Sequence, residues 1–167
     1  MINVHSEIGR LRKVMVHRPD KGISRISPKR ATELLFDDIV YVPQMIEEHK
    51  TFVDVLSAFL GKENVLETED LILQGMEANP DLREELIDKV VDYEELPQSY
   101  DDILRAMDNK TLTQVMVTGY LVEDDHIFFD PIPNFIFTRD VAVSVKDSVI
   151  ITKAAKMARF RENLLTR

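Results

Sequence analysis

The 167-residue sequence contains no cysteine and no tryptophan, and only 5 glycines. Without cysteine these residues can build no disulfide scaffold, no thiolate metal site and no thiol nucleophile. Neither glycine-rich phosphate loop is present, and HExxH, CxxC and GxSxG are missing as well. Apolar runs are short, well under the roughly 18 residues of a membrane span. The opening MINVHSEIGR lacks the basic start and apolar stretch of a secretion signal. Positive charge is also scarce: 21 Lys plus Arg against 30 Asp plus Glu leave a net charge of −9. That balance argues against a nucleic-acid binder, which needs a basic stripe to release phosphate counterions, and against docking on anionic lipid. The four histidines, His5, His17, His49 and His126, show no metal-ligand spacing, so each is expected to be structural. These absences lead to the expectation of a soluble, cytoplasmic protein with no nucleic-acid or membrane partner, and they give no support to a metalloenzyme or a nucleotide-binding site.

What is present is enough apolar material, 44% of residues, for a real core. A domain of this length typically buries roughly 68–70% of the surface its unfolded chain exposes. The acid is concentrated in the middle. Residues 1 to 60 carry 9 basic and 8 acidic side chains, 61 to 125 carry 5 and 18, and 126 to 167 carry 7 and 4, giving nets of +1, −13 and +3. The acidic middle reads as short helices with polar faces. Asn79-Pro80 offers a cap and a first-turn proline, Ser99 with Asp102 offers a capping pair, and Thr111 to Thr118 precedes a stopping glycine, Gly119.

The flanks read as α/β. Lys13 to His17 and Asn64 to Glu67 are expected strands, with a helix starting at Ser27-Pro28 between them. A second helix follows Pro43, with Met45, His49, Phe52, Val53, Leu56, Phe59 and Leu60 on one apolar face and Gly61 at its end. After the acidic middle, His126 to Asp130, Phe135 to Thr138, Val141 to Val145 and Val149 to Thr152 read as strands, the last two joined in a tight hairpin. From Ala154 onward good helix formers predict a terminal helix.

One segment, Asp130-Pro131-Ile132-Pro133-Asn134-Phe135-Ile136-Phe137-Thr138-Arg139-Asp140, stands apart. As a strand it would place Asn134, Ile136 and Thr138 on one face and Phe135, Phe137 and Arg139 on the other. Asp140 would then sit at the strand end, where a carboxylate is the natural partner of a planar guanidinium. On the residues alone, an ordinary Arg139-Asp140 surface pair in a turn is an equal alternative.

The run PIPNFIFTRD resembles the PxPNxxFTRD motif of the arginine deiminases, members of the guanidino-group-modifying (pentein) superfamily. VHSEIG (4–9) with VMVHRP (14–19), ELLFDDI (33–39) followed by Glu48-His49, and ARFRE (158–162) match in the same order. Val141, where many members have proline, and Lys146-Asp147, in place of a glycine-rich turn, depart from the pattern. The resemblance implies an α/β fold of ββαβ modules, here a partial pentein propeller over 1–70 and 119–167 with an α-helical insertion at 71–118. It implies a hydrolase converting arginine and water to citrulline and ammonia through a covalent cysteine intermediate, with no cofactor. Carried over by position, Asp140 grips the guanidinium as the catalytic carboxylate. Asn134 contacts the amino-acid end of the substrate, Phe137 walls the flat group, Arg159 binds the α-carboxylate, and Leu35 offers a backbone contact from a closing loop. The family's His-x-Asp base, second acidic ligand and cysteine lie beyond the matched motifs. The chain is therefore expected to be the N-terminal part of such an enzyme, inactive alone and self-associating through the apolar strands of 127–152 or the terminal helix. An amidinotransferase, or a non-catalytic guanidine-binding or assembly module of the same superfamily, is the alternative.

Overall fold

The computed structural model describes residues 2–6, 8–36 and 40–167; Glu7 and Asp37, Asp38 and Ile39 of the quoted motifs lie outside the described residues. The described chain mixes helices with three separate two-stranded sheets, and no closed barrel is formed among them. Strand β1 (Val14–Val16) runs parallel to β2 (Val65–Glu67), in register Val14 with Val65. Helix α1 (Val42–Leu60) is the crossover between them. Four helices follow without a strand: α2 (Thr68–Ala78), α3 (Pro80–Tyr93), α4 (Gln98–Ala106) and α5 (Asn109–Thr118). Short strands β3 (Tyr120–Leu121) and β4 (His126–Ile127) pair antiparallel, and β5 (Ala142–Val145) pairs with β6 (Ser148–Ile151) in a hairpin. Helix α6 (Phe160–Leu165) closes the described chain. None of these helices is long and apolar enough to cross a membrane.

The helix boundaries follow local chemistry. Asn79 caps α3, its Oδ1 accepting the backbone N–H of Asp81 (3.1 Å) and Leu82 (3.3 Å), with Pro80 where its missing donor costs nothing. Asp108 caps α5 through Lys110 and Thr111, so that helix starts two residues before Thr111. Pro97 precedes α4, which puts Ser99 inside the first turn rather than at the cap. Gly119 ends α5 in the left-handed region, φ 70°.

Three segments depart from the secondary structure expected of them. The turn beginning at Ser27-Pro28 does not become a helix. It stops after local turns whose last residues, Leu34 to Phe36, bond back to Arg30, Thr32 and Ala31, and Leu35 takes φ 56°. The run Phe135 to Thr138 is not a strand but lies in 3₁₀ turns, Pro133–Ile136 and Thr138–Asp140, so its side chains do not alternate. The terminal helix begins only at Phe160, after a 3₁₀ turn at Met157–Arg159. The backbone N–H of Ala154 is bound instead by Asn163 Oδ1 at 2.9 Å.

The main core joins Met76, Leu86, Ile87, Val90, Leu104, Leu112, Val115 and Met116 of α2–α5 to Phe128, Phe129 and Leu164. A second cluster, Val117, Ile132, Phe135 and Val141, underlies the PIPNF segment, and a third, Ile23, Ile26 and Leu34, underlies the turn before α1. Helix α1 buries no residue fully. Met45, His49, Val53, Leu56 and Leu60 are half-buried, while Phe52 and Phe59, expected on the same face, are exposed. At 100° per residue those two lie on the margin of the stripe.

Candidate functional site

The PIPNF segment is held from three directions. Arg30 makes a two-pronged bond to Asp130, 2.6 and 2.5 Å, fastening the turn before α1 to the segment's first residue. This pair holds the Asp130 carboxyl below its ordinary range. Asn134 is buried, and its side-chain N–H donates to the Leu34 carbonyl at 2.7 Å. Thr138 donates its hydroxyl to the Met15 carbonyl of β1 at 3.1 Å. Phe135 packs below against the ring of His17, centroids 4.8 Å apart.

On this base the two 3₁₀ turns present Phe137 and Asp140 to solvent, each about half exposed. The backbone N–H of Asp140 donates to the Phe137 carbonyl (2.9 Å), and the Asp140 carbonyl accepts from the Thr152 hydroxyl (2.7 Å) at the exit of β6. Arg159, just before α6, reaches across. Its Nη1 donates to Asp140 Oδ2 at 2.8 Å and its Nη2 to the Asn134 carbonyl at 3.4 Å. Nε and Nη2 are also bonded to Glu162, at 3.0 to 3.1 Å and 2.8 Å. Burial opposes the Arg159 charge, yet the bonds to Glu162 and Asp140 outweigh it and hold the guanidinium above its ordinary value. Burial pushes the Glu162 carboxyl up, against the pull of Arg159.

Asn134, Asp140 and Arg159 therefore meet through direct contacts. Phe137 sits between Asn134 and Asp140, and Leu35 stands one residue beyond the carbonyl that Asn134 holds. The arrangement offers a half-exposed carboxylate, an aromatic edge and a guanidinium within one patch, a chemistry suited to a ligand that is cationic at one end and anionic at the other. Glu162 was not legible as a partner of this patch. Its signals are its place at the end of the ARFRE run and the i, i+3 spacing from Arg159.

Sequence reasoning also missed a buried polar cluster beside the patch. His17 is 1% exposed, with Nδ1 on the Thr68 hydroxyl at 2.6 Å and Nε2 on Asp20 at 3.0 Å. Burial disfavours its charge, but the bonds to Asp20 and Glu67 prevail and raise it to about 9. Glu67 is held below its ordinary value, its own burial outweighed by His17. Because the folded value lies above the ordinary 6.5, the stability from charged His17 is complete below that pH and lost as pH rises through about 9. Urea midpoints should therefore fall across that window, by at most about 3 kcal/mol in stability. His17→Gln should flatten the fall; an unchanged slope in the variant would remove His17 as its source.

A cleft of about 790 Å³ opens between α1 and the β2–α2 junction, lined by Arg18, Lys21, His49, Lys50, Glu67 and Glu69 among others. Its charges are mixed, and Arg18 is already paired with Glu69 at 2.7 Å, so it concentrates neither sign. Neither Asp140 nor Arg159 lines it. Among the described residues no group of three or more His, Asp or Glu is arranged to hold a metal.

Comparison with known proteins supplies the context. The arginine deiminase family model matches residues 32–167. An arginine deiminase of Bacillus cereus (strain B4264) is 35% identical over 98% of this chain and 44% of its own length. One of Mycoplasma capricolum is 30% identical over 98% and 43%, and one of Treponema denticola 28% over 98% and 45%. The chain thus spans less than half the length of the curated relatives it matches.

Proposed function

The chain belongs to the arginine deiminase family, and from that membership we propose that it supplies the guanidinium-gripping part of an arginine-hydrolysing site. The observation that carries the reading is the contact of Arg159 with the half-exposed Asp140 carboxylate and with the backbone carbonyl of buried Asn134, beside half-exposed Phe137. Asp140 accepts two guanidinium N–H groups and orients the central carbon. Phe137 walls the flat group, a contact worth roughly 0.5–2 kcal/mol as its cation is desolvated. Arg159 takes the α-carboxylate, Asn134 contacts the amino-acid end, and the Leu35 loop, tied down through Leu34, lies over it.

In the proposed reaction a thiolate attacks the guanidinium carbon, a C–S bond forms, and the C–N bond to the departing ammonia breaks. Water then cleaves the C–S bond and releases citrulline. The 167 residues hold no cysteine, so the thiolate comes from outside them. The fold belonging to this reading is a partial pentein propeller over 1–70 and 119–167 with the helical segment 71–118 inserted. The order of β1, α1 and β2, then four uninterrupted helices, then the later strands supports it.

Calorimetric titration of the chain with L-arginine tests the reading. Weak binding is expected, and Asp140→Asn should lower the affinity about 10- to 100-fold, the range of one charge-assisted hydrogen-bond pair. Equal affinity in the variant would overturn the assignment of Asp140. Citrulline formed by the chain alone would overturn the external thiolate.

A further inference from the structure

The side chain that meets Asp140 is itself a guanidinium. Arg159 is gripped by two carboxylates, and the grips are unequal. Glu162, 1% exposed, takes Nε and Nη2 together. Asp140, half exposed, holds Nη1 through one oxygen at 2.8 Å. A desolvated two-pronged bond is the stronger kind, and a single water-exposed one is readily exchanged. A free guanidinium can present two parallel N–H groups to Asp140, whereas Arg159, committed to Glu162, presents one.

We propose that Arg159 is a placeholder that occupies Asp140 while no ligand is bound, and that Glu162 is the positioning residue that keeps it there. An incoming guanidinium then enters by partner exchange. It displaces Nη1 from Asp140, Arg159 stays anchored on Glu162, and the released Nη1 is left to receive the carboxylate at the other end of the ligand. The guanidinium subsite is thus filled by a cation for most of the time, and Asp140 seldom stands unpaired between ligands. This rests on the reading that Asp140 receives a guanidinium.

The test uses the ¹⁵N-labelled chain and methylguanidinium, a probe with no carboxylate. In the free chain the Arg159 Nε–H resonance should be resolved and slow to exchange, kept in Asp140→Asn and lost in Glu162→Gln. Arg159→Met should bind methylguanidinium about threefold more tightly than the unsubstituted chain, because an internal competitor lowers apparent affinity by the fraction of time it fills the site. Arg159→Gln serves the same comparison if the methionine variant loses its dispersed amide spectrum. Equal or weaker binding on removal of Arg159, with Asp140→Asn abolishing it, overturns the placeholder and leaves the Asp140 reading standing. An Arg159 Nε–H that exchanges freely in the unsubstituted chain overturns the placeholder whatever the ligand does. Absence of binding in every variant overturns the Asp140 reading and the placeholder with it.

Discussion

Arg161→Ala is expected to destabilise the protein by about 3–5 kcal/mol, the usual cost of removing one partner from a buried ion pair. Arg161 is 2% exposed and lies on α6 beside the acidic helices. One Nη bonds to Glu94 at the end of α3, the other to the Asp130 carbonyl, and Nε donates to the Met116 carbonyl of α5 at 2.9 Å. The guanidinium also lies over the Phe129 ring, 4.2 Å from its centroid. Burial pushes this group down from its ordinary value, and Glu94 is what keeps it charged. Truncation would leave a partly buried carboxylate without its cation and two carbonyls without their donor, besides opening a gap over Phe129. Urea denaturation followed by circular dichroism reads the loss. The double variant Arg161→Ala with Glu94→Gln should recover part of it, because the stranded charge is then gone. A loss under about 1 kcal/mol in the single variant would show that α6 is not fastened here.

Gly119→Ala should be at least as damaging, on the order of 4 kcal/mol or more, in the range reserved for strain and backbone clash. Gly119 has φ 70°, a region that costs a residue with a Cβ roughly 1–2 kcal/mol. Steric overlap costs more. A Cβ built here would stand 2.1 Å from the Phe129 carbonyl oxygen and 3.0 Å from that of Asp130. Both are main-chain atoms and cannot swing aside. The Gly119 carbonyl in turn accepts the N–H groups of Phe128 (2.9 Å) and Phe129 (3.4 Å), so moving it breaks the join between α5 and the PIPNF segment. Gly75→Ala is the control. It lies within α2 at ordinary helical φ, and its Cβ would meet only a Leu82 methyl at 3.7 Å. There alanine should raise stability by about 0.5–1 kcal/mol through helix propensity. Equal effects at the two glycines would refute the steric account.

The features legible in the sequence were those written in local chemistry. Asn79 with Pro80, Gly119 after α5, the hairpin around Lys146-Asp147 and the strands at 14–16 and 65–67 all announce themselves within a few residues. Phe135 to Thr138 misled because a run with aromatic residues at every second position reads as a strand, whereas among the described residues no strand pairs with it. Its backbone groups bond within the segment instead, Phe135 to Ile132, Phe137 to Asn134 and Asp140 to Phe137. The terminal helix misled because good helix formers at 154–159 compete with tertiary bonds, and Asn163 takes the N–H of Ala154. At the candidate site, Asp140 and Arg159 were named through the family resemblance, and the fold brings the two into contact. Glu162, Arg30 and His17 were not, since each acts through a partner that only the fold brings near.

The bonds that build the patch have a kinetic consequence. Asn134 to Leu34 and Arg30 to Asp130 each join residues 100 positions apart, and Thr138 to Met15 joins residues 123 apart. Contacts of such separation close slowly, whereas those within helices and between successive helices close fast. The segment of four helices between residues 68 and 118 takes up about half of that gap. Once they dock, the stretch of disordered chain left to close is a fraction of the nominal loop. The acidic segment, which contributes none of the proposed ligand contacts, is thus expected to act as the folding template that draws the two flanks together. The order expected is helices first, the Gly119 join next, and the Asp140 patch last.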